Sequence, residues 1–254
     1  MQKLKELLSD TLVYGISSVF ARFINYLLVP LHTGVFNTAQ YGVIGLVYAA
    51  IAFLNVVFTF GMESAYLRYA ENRENAPHVF KTLQTGLLIF ASLLCILLYL
   101  LMPWLLPLMS LPADVSDIFL LMLGILWLDT LSIVPLAELR LTRRSWLFAG
   151  IKLMNVTINI GMNFYLILGL GIGIESVFLA NLVASFVMTV AAWAVTADLL
   201  KGSFSRDWMV TAFRFGWPFV PSGIGFVINE MLDRFLLNGM NPANAARLYG
   251  DGTT

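Results

Sequence analysis

Charge is scarce in this 254-residue chain: Asp, Glu, Lys and Arg together make up 12% of it, about half the share of an average soluble domain. Polar surface on that scale cannot cover a water-soluble globule, and the mean hydropathy of +0.82 agrees. Cysteine is nearly absent. Cys95 alone excludes an internal disulfide and any cysteine-based metal cluster. The two histidines, His32 and His78, are isolated, with no carboxylate or second histidine at ligand spacing, so no metal site is expected. There is no excess of either sign, with 15 basic against 15 acidic residues, and therefore no global field to draw nucleic acid. Gly-rich phosphate loops, zincin motifs and nucleophile elbows are missing too, and GLGIG at 169–173 follows no strand. An enzyme is not expected, and neither is a cofactor.

What is present is apolar bulk in long runs. Hydrophobic residues make up 59% of the chain and aromatic ones 13%, which excludes disorder. Segments long enough to cross about 30 Å of hydrocarbon, roughly 20 helical residues each, fall at 11–31, 42–62, 80–102, 117–137, 149–169, 175–197 and 216–237. Seven membrane helices are predicted, in an all-α polytopic bundle. The run Glu71–Asn75 closes the second span, and Pro103, Pro107 and Pro112 are expected to close the third. MQKLKELLSD lacks a following small-residue cleavage site, so the first span reads as an uncleaved helix rather than a leader.

Lys and Arg in short loops are retained on the cytoplasmic side. They occur at Lys3 and Lys5, at Arg68, Arg73 and Lys81, at Arg140, Arg143 and Arg144, and at Lys201, Arg206 and Arg214, while the intervening loops hold none. The N-terminus is thus expected in the cytoplasm, with Tyr41 and Trp104 in the outer aromatic belt and Trp146 and Trp208 in the inner one. The organisation read from these spans is a six-helix unit over 1–200, a cytoplasmic linker over 201–215, and a seventh helix with a short tail over 216–254. A lone span after three hairpins, ending at Thr254, reads as a fragment of a longer protein.

Polar residues repeated at helical spacing mark faces turned to protein or water. The first span carries Tyr14, Ser18, Arg22 and Asn25; the second, Tyr48, Asn55 and Thr59; the fifth, Lys152, Asn155, Asn159 and Asn163; the sixth, Asn181, Ser185 and Thr189. Ser185 and Thr189 read more readily as interhelical glue, worth about 1 kcal/mol each. Three asparagines on one helix face are harder to satisfy dry and predict a hydrated cavity. Arg22 sits near mid-membrane; a structural pair with Asp129 and binding of an anionic ligand both stay open. Lys152 stands near a span end and can snorkel. The seventh span holds Pro218 and Pro221 as a candidate hinge, then Asn229, Glu230, Asp233 and Arg234, where Glu230 and Arg234 are at ion-pair spacing.

Three stretches, ARFINYLLVPLHTGVFNTAQYGVIGL (21–46), GMESAYLRYAEN (61–72) and FGWPFVPSGIGFVINEMLDRFLL (215–237), resemble the polysaccharide biosynthesis flippases. These are the Wzx-type branch of the multidrug/oligosaccharidyl-lipid/polysaccharide (MOP) exporter superfamily. The resemblance spans the whole chain and implies the N-terminal half of a MATE/MurJ-like transporter: a first six-helix lobe plus the opening helix of a second. It also implies a bacterial inner-membrane protein for polysaccharide, O-antigen or lipopolysaccharide synthesis. Such a protein moves undecaprenyl-diphosphate-linked oligosaccharides by alternating access of a central cavity, with glycosyltransferases and a polymerase as partners. Many members carry a basic residue near the end of the first helix where this chain has Gly34, and the second lobe is absent.

A cationic cavity lined by Arg22, Asn25, Asn55, Lys152, Asn155, Asn159 and Asn163 would suit such a head group, with guanidinium for diphosphate and amides for hydroxyls. Asp129, Asp233 and Arg234 are the candidate ion-pairing or coupling residues. Two other functions compete: a cation-coupled drug exporter using Asp129, and a non-transporting scaffold that docks glycosyltransferases through Arg140–Arg144.

Overall fold

A computed structural model describes residues 28–108 and 116–228. Among these residues there is helix and turn but no strand. The helices are α1 (Leu28–Val35), α2 (Thr38–Thr59), α3 (Met62–Tyr69), α4 (Ala76–Leu108), α5 (Ser116–Leu141), α6 (Ser145–Phe164), α7 (Glu175–Thr196) and α8 (Arg206–Gly216). A π turn, Tyr165–Gly169, extends α6, and a 3-10 turn, Ala197–Lys201, extends α7. Five stretches among the described residues are long and apolar enough to cross a membrane, making this a multi-pass membrane protein. Most of the first predicted span and the end of the seventh lie outside the described residues.

Local chemistry sets the breaks. Asn37 caps α2 through a reciprocal capping box with Gln40. Two consecutive left-handed residues, Phe60 (φ 47°) and Gly61 (φ 66°), then separate α2 from α3 inside what reads as one apolar run. Gly61 is needed there for a second reason: a Cβ would lie 2.9 Å from the Gly216 carbonyl oxygen, where the end of α8 crosses.

The third predicted span does not end at its prolines. Helix α4 runs through Pro103 and Pro107 to Leu108. A proline loses only its own N–H bond, and membrane helices accommodate this where neighbours adjust. The stretch read as a linker, 201–215, is mostly helical: α8 occupies it from Arg206 on. This helix is capped by Ser205 and buries Ala212 and Gly216, with Trp208, Phe213 and Phe215 packed on the cluster formed by Tyr66, Phe80 and Leu83. After a turn at 217–218, helix resumes over 219–228, so Pro218 stands in the turn and Pro221 in the first turn beyond it.

Helix α5 is the axis of the bundle, buried along most of its length. One core cluster joins it to α2, α4 and α7 through Val47, Phe58, Ala91, Leu106, Met122, Ile125 and Phe178. Another joins it to α6 and α7 through Leu139, Ile151 and Met188. By contrast α4 presents Ile89, Leu93, Ile96, Leu100 and Trp104 outward, at spacings of three to four residues. Such a stripe suits acyl chains.

Candidate functional site

A cavity of about 330 Å3 opens between α2, α3, α5, α6 and α7. Helix α5 contributes Asp129, Ser132, Ile133, Leu136 and Arg140; α6 contributes Phe148, Lys152 and Asn155; α7 contributes Asn181, Ser185 and Met188. Each set repeats every three to four residues, so each helix turns one face to the space. Asp129 and Arg140 are eleven residues apart, or about 16 Å along the axis. The cavity therefore extends from the middle of α5 to its C-terminal end, where Glu63 of α3 also lines it.

Opposite charges are matched within it. Glu63 forms an ion pair with Arg140. Deeper in, Asp129 has Ser185 as its hydrogen-bonding neighbour and the Lys152 ammonium as its facing cation. Among the described residues the lining holds two acids, Glu63 and Asp129, and two bases, Arg140 and Lys152. Lys152 does not simply snorkel away; it lines the cavity. Of the amides, the Oδ1 of Asn55 is buried without a protein partner among the described residues. Asn181 donates to the Tyr48 hydroxyl at 3.4 Å.

The asparagine stripe of α6 divides. Asn155 lines the cavity, whereas Asn163 is fully buried, 3.1 Å from His32 Nε2, and donates to the Asn159 carbonyl and Oδ1 at 2.9 and 2.8 Å. Steps of four residues drift about 40° each around a helix. Eight residues beyond Asn155 the side chain faces α1 rather than the cavity, and the expectation of three amides in one wet space is corrected. Arg22, Asn25, Asp233 and Arg234, like Glu230, lie outside the described residues, so the proposed Arg22–Asp129 pair lies outside them too.

Two polar arrangements hold the cavity wall. Pro135 lacks the N–H that would bond the Leu131 carbonyl. Gln84 Nε2 of α4 and Trp193 Nε1 of α7 donate to that oxygen instead, at 2.9 and 3.0 Å. Thr189 Oγ1 donates to the Leu128 carbonyl at 2.9 Å, the glue expected of it. At the end of α5, Glu138 accepts from Tyr66 Oη at 2.7 Å and from both terminal nitrogens of Arg73 at 3.0 and 2.6 Å. Those bonds push the Arg73 guanidinium pKa further up, fixing its charge. Glu63 and Glu138 did not emerge from the sequence. Glu138 carried a usable signal, as an acid near the end of an apolar span; Glu63 carried only its place in the 61–72 stretch.

The sequence profile of a family described as "Polysaccharide biosynthesis protein" matches residues 7–251. The chain belongs to that family. The chain shares its fold with solved MOP-superfamily transporters. It covers 95% of its length on the MATE transporter VcmN of Vibrio cholerae in the bent form, at TM-score 0.67 and 17% identity, and takes up 58% of that chain. Against a MATE transporter in complex with MaD3S the TM-score is 0.71 at 18% identity, over 92% of this chain and 55% of the other. A MOP-superfamily transporter of Pyrococcus furiosus, described as having a binding pocket of reverse polarity that suggests a different function, gives 0.70 at 18% identity, over 92% and 54%. At these identities the likeness is one of fold, and the chain spans little more than half the length of these transporters. No curated protein matches the sequence.

Proposed function

We propose that this protein supplies the N-terminal lobe of a lipid-linked oligosaccharide flippase. It would carry undecaprenyl-diphosphate-linked sugars from the cytoplasmic to the outer leaflet of a bacterial inner membrane, without catalysing a reaction. The observation that carries the reading is the open polar cavity inside an otherwise apolar, membrane-spanning lobe. Its two cations suit the oxygens of a diphosphate, and Asn55, Asn155 and Asn181 suit sugar hydroxyls. Polar lining at membrane depth is costly and is kept where a cargo must pass. The Lys and Arg distribution supports a cytoplasmic N-terminus, which puts Arg140 and Glu63 at the inner mouth. Pro218 and Pro221 mark the hinge to the following helix.

Asp129 supports a second reading, a cation-coupled drug exporter, because its carboxylate stands mid-helix beside Lys152. A docking scaffold for glycosyltransferases has less support, since Arg140 turns into the cavity toward Glu63 and leaves Arg143 and Arg144 as the exposed cations of that loop.

The protein, expressed from its complete reading frame and reconstituted in liposomes, should accelerate leaflet exposure of a fluorescent undecaprenyl-diphosphate-linked sugar and should not extrude cationic dyes. Exposure no faster than in empty vesicles would overturn the flippase. Dye extrusion abolished by Asp129→Asn would establish the exporter instead.

A further inference from the structure

Helix α8 joins the end of α7 to the helix that resumes at 219, so it stays at one surface of the membrane, against the end of α3 and the start of α4. It is held there at both ends. Before its first turn, Gly202 packs on the Pro77 carbonyl with no room for a Cβ, His78 Nδ1 accepts the Ser203 N–H at 3.1 Å, and Thr82 Oγ1 accepts the Ser205 N–H at 3.0 Å. After its last turn, Gly216 packs on the Phe60 backbone. A helix pinned at both ends cannot roll, so the face it turns away from the bundle is fixed. That face carries Arg206, Val210, Arg214 and Trp217, all exposed, at steps of four, four and three residues. Guanidinium and apolar side chains on one face belong to a helix lying in a membrane interface.

Phe215, the residue after Arg214, gathers the rest. The guanidinium carbon of Arg68, from α3, lies 5.8 Å from its ring centre, and the rings of Tyr69 and Phe219 stand at 5.6 and 5.5 Å. Among the described residues neither Arg68 nor Arg214 forms an ion pair with an acid. Glu138 is taken by Arg73 and Asp198 by Lys201, Asp207 stands at the other end of α8, and Glu71 and Glu74 lie in the turn after α3. Beside the two arginines, Trp217 and Phe219 are 61% and 43% exposed, which is apolar surface that the lobe itself leaves uncovered. A guanidinium lying over a ring keeps its N–H edge for an anion.

We propose that Arg68 and Arg214, with Trp217 and Phe219 beside them, form a docking site for an anionic phospholipid of the phosphatidylglycerol class, which fastens α8 to the membrane surface. The guanidinium groups take the phosphodiester oxygens. The aromatic side chains border the glycerol and the upper acyl chain, the depth at which such rings settle. A zwitterionic choline lipid fits less well, because its ammonium would meet two arginines. This site faces the leaflet and holds a lipid that stays in it, so the inference goes beyond the flippase reading and does not rest on it. Its consequence is mechanical: with α8 fastened to the lobe and to the leaflet, the turn at 217–218 is the first place where the chain can bend.

The test titrates the purified, delipidated protein in detergent with phosphatidylglycerol and, separately, with phosphatidylcholine of the same acyl chains, and counts bound lipid by native mass spectrometry. Phosphatidylglycerol should bind the more tightly. Arg214→Gln and Arg68→Gln should each weaken it about fivefold, the worth of one basic residue at an anionic surface, and leave phosphatidylcholine unchanged. Arg143→Gln, which removes an exposed arginine of the turn between α5 and α6, should change neither lipid. Arg214 makes no ion pair among the described residues, so its variant keeps the fold and decides alone if Arg68→Gln does not. Equal affinity for the two lipids, or phosphatidylglycerol binding untouched in the Arg68→Gln, Arg214→Gln double variant, overturns the site. An equal loss in Arg143→Gln would reveal a diffuse charge effect and overturns it as well. Displacement of the lipid by excess glycerol phosphate would assign the arginines to free phosphate and overturn the lipid source. Binding is read without transport, so none of these results bears on the flippase.

Discussion

Glu138 shows what a single carboxylate does in this lobe. It is 6% exposed and receives three hydrogen bonds, from Tyr66 and Arg73, so it ties α3 and the turn before α4 to the end of α5. Replacing it with Leu leaves the Tyr66 hydroxyl buried without its acceptor and should cost about 2–4 kcal/mol. Arg73→Gln should cost less, because Arg73 is 48% exposed and water compensates. Thermal unfolding in detergent should order the midpoints as wild type, Arg73→Gln, Glu138→Leu; an unshifted Glu138→Leu midpoint would contradict the clamp. Several cavity residues were legible in the sequence at this scale. Asn55, Asp129, Lys152 and Asn155 stand out as polar groups in apolar runs and need no partner to be noticed. Glu63, Glu138 and His32 draw their meaning from Arg140, Arg73 and Asn163, which are distant in the chain, and no spacing rule reaches that far.

The helices show a different kind of dependence, in which one element completes the hydrogen bonding of another. Gln84 of α4 and Trp193 of α7 both serve the Leu131 carbonyl that Pro135 leaves without its helical donor. Gln84→Leu and Trp193→Phe should each cost about 1 kcal/mol, and together more than the sum, since only the double variant strands the oxygen. In a Pro135→Ala background the Ala N–H takes over and both effects should shrink; additivity in that cycle and in the parent alike would refute the arrangement. Gly61→Ala combines a left-handed backbone with a Cβ pressed on Gly216, so a loss of about 2–4 kcal/mol is expected by thermal unfolding. A neutral Gly61→Ala would mean that α8 does not dock there. Apolar run length was enough to find the five long helices. It was blind to Phe60–Gly61, whose break arises from backbone conformation, and to α8, whose charged face reads as a linker until its aromatic side is seen against α3 and α4.

At the scale of the whole lobe, composition gave the solvent, hydropathy the spans, and the family motifs the superfamily. What composition could not count was pairing: among the described residues, Glu63 and Asp129 line the same cavity as Arg140 and Lys152. Orientation is open to direct test. In a Cys95→Ser background, Arg143→Cys should react with an impermeant thiol reagent only from the cytoplasmic side and Ile172→Cys only from the outside; the reversed pattern would invert the lobe and the direction of transport.

The central claim is that the polar cavity, and not the lipid-facing surface, receives the diphosphate-linked cargo. A photoreactive amino acid placed at Leu136 or Met188, which line the cavity, and at Leu93 or Leu100, which are 61% and 66% exposed on α4, compares the two surfaces directly in cells making the glycan lipid. The account predicts adducts carrying diphosphate-linked sugar from the cavity positions alone. Equal adducts from Leu93 and Leu100, or none from Leu136 and Met188 in protein that folds normally, would contradict it.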